Sequence, residues 1–168
     1  MEEPSYSALS RFIQTLGSTK AGAWFFAKVL HHVDGYIYRF SNERITLTAL
    51  LTGLPVVTLT STGARTGLPR STHLLFARDA DNSEKFAVIA SNFGQSHYPS
   101  WYYNLKANPE AVANIQGKSY SVISYEADGE EYEHYWQIFV NVYKGYPEYQ
   151  KRVTNRHIPI MVLSKTDS

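Results

Sequence analysis

The chain has 168 residues, 43% of them hydrophobic and 18% charged, which is typical of one globular domain, so we expect residues 1–168 to form a single unit. A net charge of +1 with dispersed basic residues argues against a nucleic-acid partner. The absence of cysteine excludes disulfides, thiolate nucleophiles and cysteine-based zinc or iron–sulfur sites.

Two helices are predicted before the first strand, over residues 6–17 and 21–40. Apolar residues recur at helical spacing in the second. Its cluster of Trp24, Phe25 and Phe26 leaves two interpretations, core packing or contact with a membrane surface or partner helix. The N-terminus lacks the basic region of a signal peptide, and no apolar run approaches the roughly 20 residues of a membrane span. We therefore expect a cytoplasmic protein, with peripheral membrane contact through this helix as the alternative.

A hairpin is predicted next. Residues 56–60 form a β-branched run and residues 74–76 a second apolar run, and glycine and proline punctuate the long connection between them. That connection holds Arg65 and Arg70 among five hydroxyl side chains: Ser61, Thr62, Thr66, Ser71 and Thr72. Forked guanidinium groups near outward-pointing backbone amides can hold phosphate. A solvated hairpin tip is the alternative. A P-loop is excluded because no Gly-Lys-Ser/Thr follows and a helix does not come next.

A buried strand and a short helix follow the hairpin. The strand is predicted over residues 86–90, and Ser91 and Asn92 directly after it place side-chain acceptors and backbone amides at a sheet edge. The helix is predicted over residues 99–107, with proline in its first turn. Core filling is the ordinary role for its Trp101.

A second hairpin is predicted from residues 112–116 and 119–125 around a two-residue turn at 117–118. A late helix follows, in which Asp128 and Glu131 resemble a capping box. Aromatic and apolar residues then recur at helical spacing through Tyr132, Tyr135, Trp136, Phe139, Val140 and Tyr143, and Gly145 and Pro147 interrupt the pattern.

The chain contains 13 tyrosines, which combine a flat apolar body with a polar tip and suit the walls of a pocket for a planar ligand. Tyr143, Tyr146 and Tyr149 recur every third residue through the break in the late helix. They indicate either a mouth that opens and closes or a packed surface cluster.

Residues 158–163 are the final predicted strand, which brings the total to about six strands, mostly in hairpins. This pattern predicts an α+β fold, a mainly antiparallel, barrel-like sheet with N-terminal helices, one short inserted helix and a long late helix.

Three separated stretches carry motifs that occur together, and the second of them comprises residues 90–94 followed by residues 99–109. Residues 62–70 read TGARTGLPR, residues 90–94 read ASNFG, residues 99–109 read PSWYYNLKANP, and residues 145–163 carry a Gly-Tyr-Pro and an Arg-His-Ile-Pro. In this order the motifs resemble the deazaflavin-dependent nitroreductase family. The resemblance implies a split β-barrel of the FMN-binding type that binds coenzyme F420, an 8-hydroxy-5-deazaflavin with a phosphate and an oligoglutamate tail. FMN is the less favoured cofactor.

The resemblance also implies an organisation of the chain, with residues 54–163 as the cofactor-binding core and residues 1–44 as an N-terminal helical extension. The implied cofactor-binding residues are Arg65, Thr66, Gly67, Arg70, Ser71, Thr72, His73, Ala90, Ser91, Asn92 and Trp101. The candidate catalytic residues are Ser91 and, on the substrate side, Tyr143, Tyr146 and Tyr149. Ser91, His73, one of these tyrosines and water are the alternative proton donors. The chain departs from some family members at Ala64, His73, Leu75 and Asn92.

We expect an F420H2-dependent oxidoreductase that transfers a hydride to an enone, quinone or nitro-aromatic acceptor, because the cofactor carries the chemistry and the protein has to bind it, orient it and deliver a proton. No hydrolase triad motif and no metal-ligand spacing occurs, so we expect no metal. Two alternatives remain, a carrier of the deazaflavin or another planar ligand, and a membrane-adjacent lipid- or quinone-binding module. We also expect a homodimer, since edge strands of such barrels often pair.

Overall fold

The computed structural model describes Thr19, residues 54–79 and residues 82–166. Within these residues six strands close into an antiparallel barrel in the order β1-β2-β3-β6-β5-β4. The strands are β1 Val56–Thr62, β2 Pro69–Arg78, β3 Lys85–Ile89, β4 Glu110–Ile115, β5 Lys118–Glu126 and β6 Ile160–Lys165. The helices are α1 Ser100–Ala107, α2 Gly129–Val142 and α3 Tyr146–Arg152, with a 3-10 turn at Asn92–Gly94. The expected antiparallel, barrel-like α+β fold is confirmed. The helices predicted over residues 6–17 and 21–40 lie outside the described residues.

The first hairpin is confirmed, but its connection is shorter than predicted. Thr62 pairs with Pro69, so only residues 63–68 form the loop. Arg70 and the two hydroxyl residues after it therefore lie on β2. Serine and threonine extend the ladder because their hydroxyls pair across the strands, as in the 2.8 Å hydrogen bond between Thr60 and Ser71.

The second hairpin turns one residue earlier than predicted. Its turn residues are Gln116 and Gly117, with φ of 53° and 83°, and Lys118 already belongs to β5. A tight hairpin turn of this type needs positive φ at both central positions, and glycine meets that need at the second one. The Oδ1 atom of Asn114 accepts a 3.1 Å hydrogen bond from the Gly117 N–H and holds the turn.

The long late helix is two helices. α2 ends at Val142, and α3 begins at Tyr146 with Pro147 in its first turn, because proline is tolerated there and not in a helix interior. The predicted capping box is wrong. Asp128 is the N-cap residue but makes no capping side-chain hydrogen bond, and Glu131 accepts a 2.8 Å hydrogen bond from the Tyr125 hydroxyl.

Two boundaries shift by one or two residues. Pro99 is the N-cap of α1, so it precedes the first turn, and β6 begins at Ile160 and not at residue 158. The Ala90 N–H donates to the Pro159 carbonyl at 2.8 Å, so the chain lies beside β3 before it enters the β6 ladder.

The core has two parts. The barrel interior is closed by α1, whose Trp101 and Leu105 pack among residues such as Leu59 and Phe86. The outer layer lies between the barrel wall and α2 with α3, where Tyr135 and Phe139 are fully buried against alanines, isoleucines and valines of β2, β3 and β6. The predicted shared face of Trp101 and Leu105 is confirmed, since both are at most 5% exposed.

Candidate functional site

The loop at residues 63–68 is shaped by its own backbone. The Gly63 N–H donates to the Leu68 carbonyl at 2.9 Å, and the Gly63 carbonyl accepts from the N–H groups of Thr66 and Gly67 at 3.2 and 2.8 Å. Gly67 has φ of 66°, a left-handed conformation that glycine adopts without steric cost. These bonds define one loop shape in which Ala64 and Arg65 are exposed, whereas the Thr66 hydroxyl turns back into the loop and accepts from the Leu68 N–H at 3.3 Å.

Helix α1 holds the loop from one side. The Oδ1 atom of Asn104 accepts from the Ala64 N–H at 3.0 Å, and its Nδ2 donates to the Ser61 hydroxyl at 3.4 Å. Asn108 donates to the Thr62 carbonyl at 3.5 Å. Sequence reasoning missed both asparagines, although their spacing of four residues at the end of a short helix places them on one face.

Arg65 and Arg70 are both exposed, one on the loop and one at the start of β2. In the part of the chain that the structure describes, neither guanidinium takes part in an ion pair or a side-chain hydrogen bond. Because no carboxylate of the described residues pairs with them, the two guanidinium groups can bind phosphate or carboxylate groups of a ligand.

The predicted residues of β2 divide between its two faces. Ser71 hydrogen-bonds Thr60 at 2.8 Å, and the His73 ring hydrogen-bonds Thr58 at 2.9 Å, so these polar side chains form one row on the outer face of the barrel wall. Thr72 pairs with the buried Leu59 and belongs to the opposite, interior face. The structure therefore brings Ser71 and His73 together and separates Thr72 from them.

The segment after β3 lies beyond the paired part of β2, because β2 and β3 pair only from Phe76 to Arg78. Ala90 is fully buried and its N–H already donates to a carbonyl. The residue Ser91 is 9% exposed, and its hydroxyl makes no hydrogen bond to another described residue. The Asn92 amide donates to the His97 carbonyl at 3.0 Å. Of the three, Ser91 has the uncommitted side-chain donor.

The turn that follows has an unusual backbone. Asn92, Phe93 and Gly94 have φ of 46°, 55° and 75°, so two residues with side chains adopt the left-handed region. Arg156 lies in the Arg-His-Ile-Pro motif, and the sequence alone predicted no role for it. Its guanidinium donates to carbonyls of this segment, including that of Ser91 at 3.0 Å.

Trp101 is 5% exposed and packs in the barrel interior. Its predicted place at the edge of a cofactor stays a prediction, and the core-filling role is the one that its contacts show.

The three predicted tyrosines are brought together as a buried cluster. Tyr143, Tyr146 and Tyr149 are 7%, 3% and 3% exposed, which excludes a surface cluster. Their ring centroids lie 5.3 to 6.0 Å apart, and the hydroxyls of Tyr143 and Tyr149 lie 3.2 Å apart. Burial raises the pKa of all three phenols, so they hold their protons at neutral pH.

The cluster borders the turn after β3. A Cβ atom added to Gly94 would lie 3.2 Å from Tyr149 Cα, and the Phe93 and Tyr149 ring centroids are 6.4 Å apart. Leu75 of β2, on the face that carries His73, packs against the larger buried layer to which the three tyrosines belong. The row of Ser71 and His73 and the three tyrosines therefore lie on the same, outer side of the barrel wall.

Among the described residues, no group of three metal-ligating side chains lies close enough together to bind an ion. In the same part of the chain, the helices are too short or too polar to cross a membrane. The predicted membrane contact through Phe25 and Phe26 lies outside the described residues.

Three comparisons with known proteins agree with the motifs. A family model described as F420H(2)-dependent quinone reductase matches residues 32–165. An F420H(2)-dependent quinone reductase of Mycobacterium tuberculosis is 38% identical over 132 residues, 77% of this chain and 85% of that protein. A solved F420-H2 dependent reductase is 37% identical with a TM-score of 0.59, and the match covers 66% of this chain and 94% of that one. A solved structure described as a domain-swapped dimer is 32% identical with a TM-score of 0.62 and coverage of 79% and 97%.

Proposed function

The chain belongs to the F420H(2)-dependent quinone reductase family, and on that premise we propose that it transfers a hydride from reduced coenzyme F420 to a quinone at the outer face of β1 and β2. The observation that carries the placement is the loop at residues 63–68. Its backbone and Asn104 hold it in one shape, it exposes Arg65, and it leads directly into β2 with the exposed Arg70; neither arginine has an acidic partner among the described residues.

The residues present fit this cofactor. Its phosphate and carboxylate tail need cations, and Arg65 and Arg70 supply forked donors that match both groups. Its flat ring system needs a bed with a few polar contacts, and the row of Ser71 and His73 on the barrel wall supplies one. When bound, reduced F420 supplies the hydride, so the protein needs no nucleophile or metal of its own.

Reduction of a quinone to a quinol takes one hydride and one proton. We assign proton delivery to Ser91, whose hydroxyl has no partner among the described residues. The turn that follows Ser91 contacts Tyr149 of the tyrosine cluster, and we assign Tyr143 and Tyr149 to hold the acceptor by hydrogen bonds, since their raised pKa values keep both phenols protonated donors. Tyr146 is packed edge-on against Phe139 and supports the pair.

The binding assignment is tested by titrating oxidised F420 into the protein and following its fluorescence. We expect Arg65→Gln and Arg70→Gln each to weaken binding about tenfold, because each removes charge-assisted hydrogen bonds to the cofactor tail. Arg78→Gln is the matched control, since Arg78 is an exposed arginine at the other end of the same strand. Equal affinities of all three variants and the wild type would overturn the assignment.

The reaction is tested by mixing reduced F420 with menadione and following its oxidation, with a cyclic enone and a nitro-aromatic compound as comparison acceptors. We expect oxidation that depends on the quinone and is slowed by Ser91→Ala. Tight binding of F420 without oxidation by any acceptor would support a carrier. Selective binding of FMN would contradict the cofactor assignment.

We also propose that residues 54–163 form a cofactor-binding core of the split-barrel type and that the protein is a homodimer. The 32% identical structure described as a domain-swapped dimer supports the dimer. So do Val112, Ile123 and Tyr125, which are 44%, 46% and 37% exposed on one outer face of β4 and β5. Sedimentation velocity of the wild type and an Ile123→Lys variant tests this. A monomeric wild type at micromolar concentration would exclude a stable dimer.

A further inference from the structure

Arg156 is bound entirely to backbone carbonyls. Its Nε donates to the Gln95 carbonyl at 3.1 Å, and its Nη2 donates to the carbonyls of Gln95 and Ser91 at 2.9 and 3.0 Å. Its Nη1 donates to the carbonyls of Ala90 and His157 at 3.3 and 3.0 Å. A guanidinium has five N–H donors, and all five are used here. Arg156 therefore has no donor left for a ligand.

The charge of Arg156 is not balanced by an acid. Among the described residues no carboxylate lies within ion-pair distance of it, and its other close neighbour is the Tyr98 ring, whose centroid lies 4.7 Å from the guanidinium carbon. Partial burial lowers the pKa of Arg156, although arginine stays protonated at physiological pH. Placing an unpaired cation here costs desolvation, and the compensation is the planar set of bonds to four carbonyl groups.

The segment that these bonds hold does not adopt a relaxed conformation. Three successive residues, Asn92 to Gly94, have positive φ, and Phe93 is the least suited to it because its side chain crowds the backbone. Local bonds close the turn, from the Gly94 N–H to the Ser91 carbonyl at 2.9 Å and from the Gln95 N–H to the Asn92 carbonyl at 3.0 Å. A strained turn persists when its surroundings fix it, and Arg156 bridges both of its ends.

We propose that Arg156 is a positioning residue for the F420 reaction. It holds the turn at residues 91–95 in the shape that presents the Ser91 hydroxyl to the bound deazaflavin and its acceptor. This inference rests on the proposed function for the placement of the cofactor. It adds that the shape of this wall of the site is maintained by a side chain on the connection between α3 and β6.

The test compares Arg156→Lys with Arg78→Lys. Lysine keeps the charge at position 156 and loses the fork, so it can reach one or two carbonyls and cannot bridge both ends of the turn. Arg78→Lys is the matched control, because that exposed arginine also lies near an aromatic ring, 5.2 Å from the centroid of Phe76, with no other described partner. A second variant, Tyr98→Leu, leaves every Arg156 hydrogen bond possible and removes the ring.

Two measurements are made. Hydrogen exchange of the peptide covering residues 90–97, in protein without cofactor, is expected to be at least about tenfold faster in Arg156→Lys and unchanged in Arg78→Lys. Steady-state kinetics with reduced F420 and menadione are expected to show kcat reduced at least about tenfold with KM for menadione within about twofold, since the proton donor is misplaced and not lost. Tyr98→Leu is expected to lie between the two lysine variants in both measurements.

Wild-type exchange and wild-type kcat in Arg156→Lys would overturn the proposal. Faster exchange throughout the protein, with kcat falling only as far as the folded fraction falls, would assign Arg156 a purely structural role and also overturn it. A wild-type protein that does not bind or oxidise reduced F420 would instead overturn the proposed function, and with it the cofactor part of this inference. The exchange comparison distinguishes these failures because it uses no cofactor.

Discussion

The asparagine that ties α1 to the arginine loop makes a prediction with a close internal control. Asn104 accepts one backbone N–H, from Ala64 at 3.0 Å, and donates to one serine hydroxyl, that of Ser61 at 3.4 Å. Asn114 makes the same two kinds of bond in the second hairpin, from Gly117 N–H at 3.1 Å and to Ser119 at 3.1 Å. Replacing each by alanine removes equivalent bonds in two hairpins, of which one carries Arg65.

The two variants are expected to lose similar stability. Each loses two hydrogen bonds worth about 1 kcal/mol apiece, and the long bond to Ser61 counts for less. Ser61 is 2% exposed, so its hydroxyl loses a partner where water has little access, which adds to the cost. Alanine in α1 regains about 0.6 kcal/mol of helix propensity. We therefore expect Asn104→Ala and Asn114→Ala each to lower the unfolding free energy by about 1–2 kcal/mol, or Tm by a few degrees.

Their effects on cofactor binding are expected to differ. Without the bond from Asn104, the loop that carries Arg65 has to be ordered when F420 binds, so the dissociation constant should rise about three- to tenfold. Asn114→Ala should bind F420 as the wild type does. Fluorescence titration measures both affinities, and thermal denaturation measures both stabilities. Equal affinities in the two variants would refute the claim that the tether to α1 prepares the loop for the cofactor.

Three further predictions follow from single features of the structure. Gly67→Ala should cost about 1–2 kcal/mol in chemical denaturation, because φ is 66° with no atom within 4 Å of the added methyl, and Gly67→Asn should cost less. Partial burial acts to raise the pKa of Glu126, but hydrogen bonds, the largest from His157, lower it overall, so its stabilisation is present above the ordinary glutamate pKa and is lost as pH falls through the lowered value. The unfolding free energy, measured by denaturation between about pH 3 and 6, should therefore change less with pH for Glu126→Gln than for the wild type. Because burial raises the pKa of Tyr146 and Tyr149, replacing both with phenylalanine should leave the phenolate absorbance of the folded protein at about pH 11 unchanged, and a decrease would contradict their burial.

The parts of the molecule that follow local rules were predictable. The strands of both hairpins follow from β-branched runs and alternation, and the break between α2 and α3 follows from Gly145 and Pro147. The turn at Gln116 was placed one residue late because only the second of the two positions with positive φ is glycine, and nothing local marks the first. The capping box failed because Glu131 found a partner on β5, a contact that sequence spacing does not encode.

The candidate site was predictable in its motifs and not in its geometry. Alternation alone separates Ser71 from Thr72 once β2 is known to extend through both, but the sequence pattern placed them in a loop. The bonds of Arg156 reach 61 to 66 residues back along the chain, so no local pattern reveals that it serves the turn after β3. Its position in a motif was the available signal, and a motif does not say which atoms a residue contacts.

The polar side chains around the site fall into two groups with different roles. Asn104 is bonded to the Ala64 N–H and the Ser61 hydroxyl, and Arg156 has all five donors committed to backbone carbonyls, so these two side chains determine the shape of the loop and the turn. Arg65, Arg70 and Ser91 have no side-chain partner within the described residues, so their binding capacity is available to a ligand. An enzyme whose cofactor carries the hydride needs this division, because accurate placement and a few uncommitted groups contribute more to the rate than reactive side chains would.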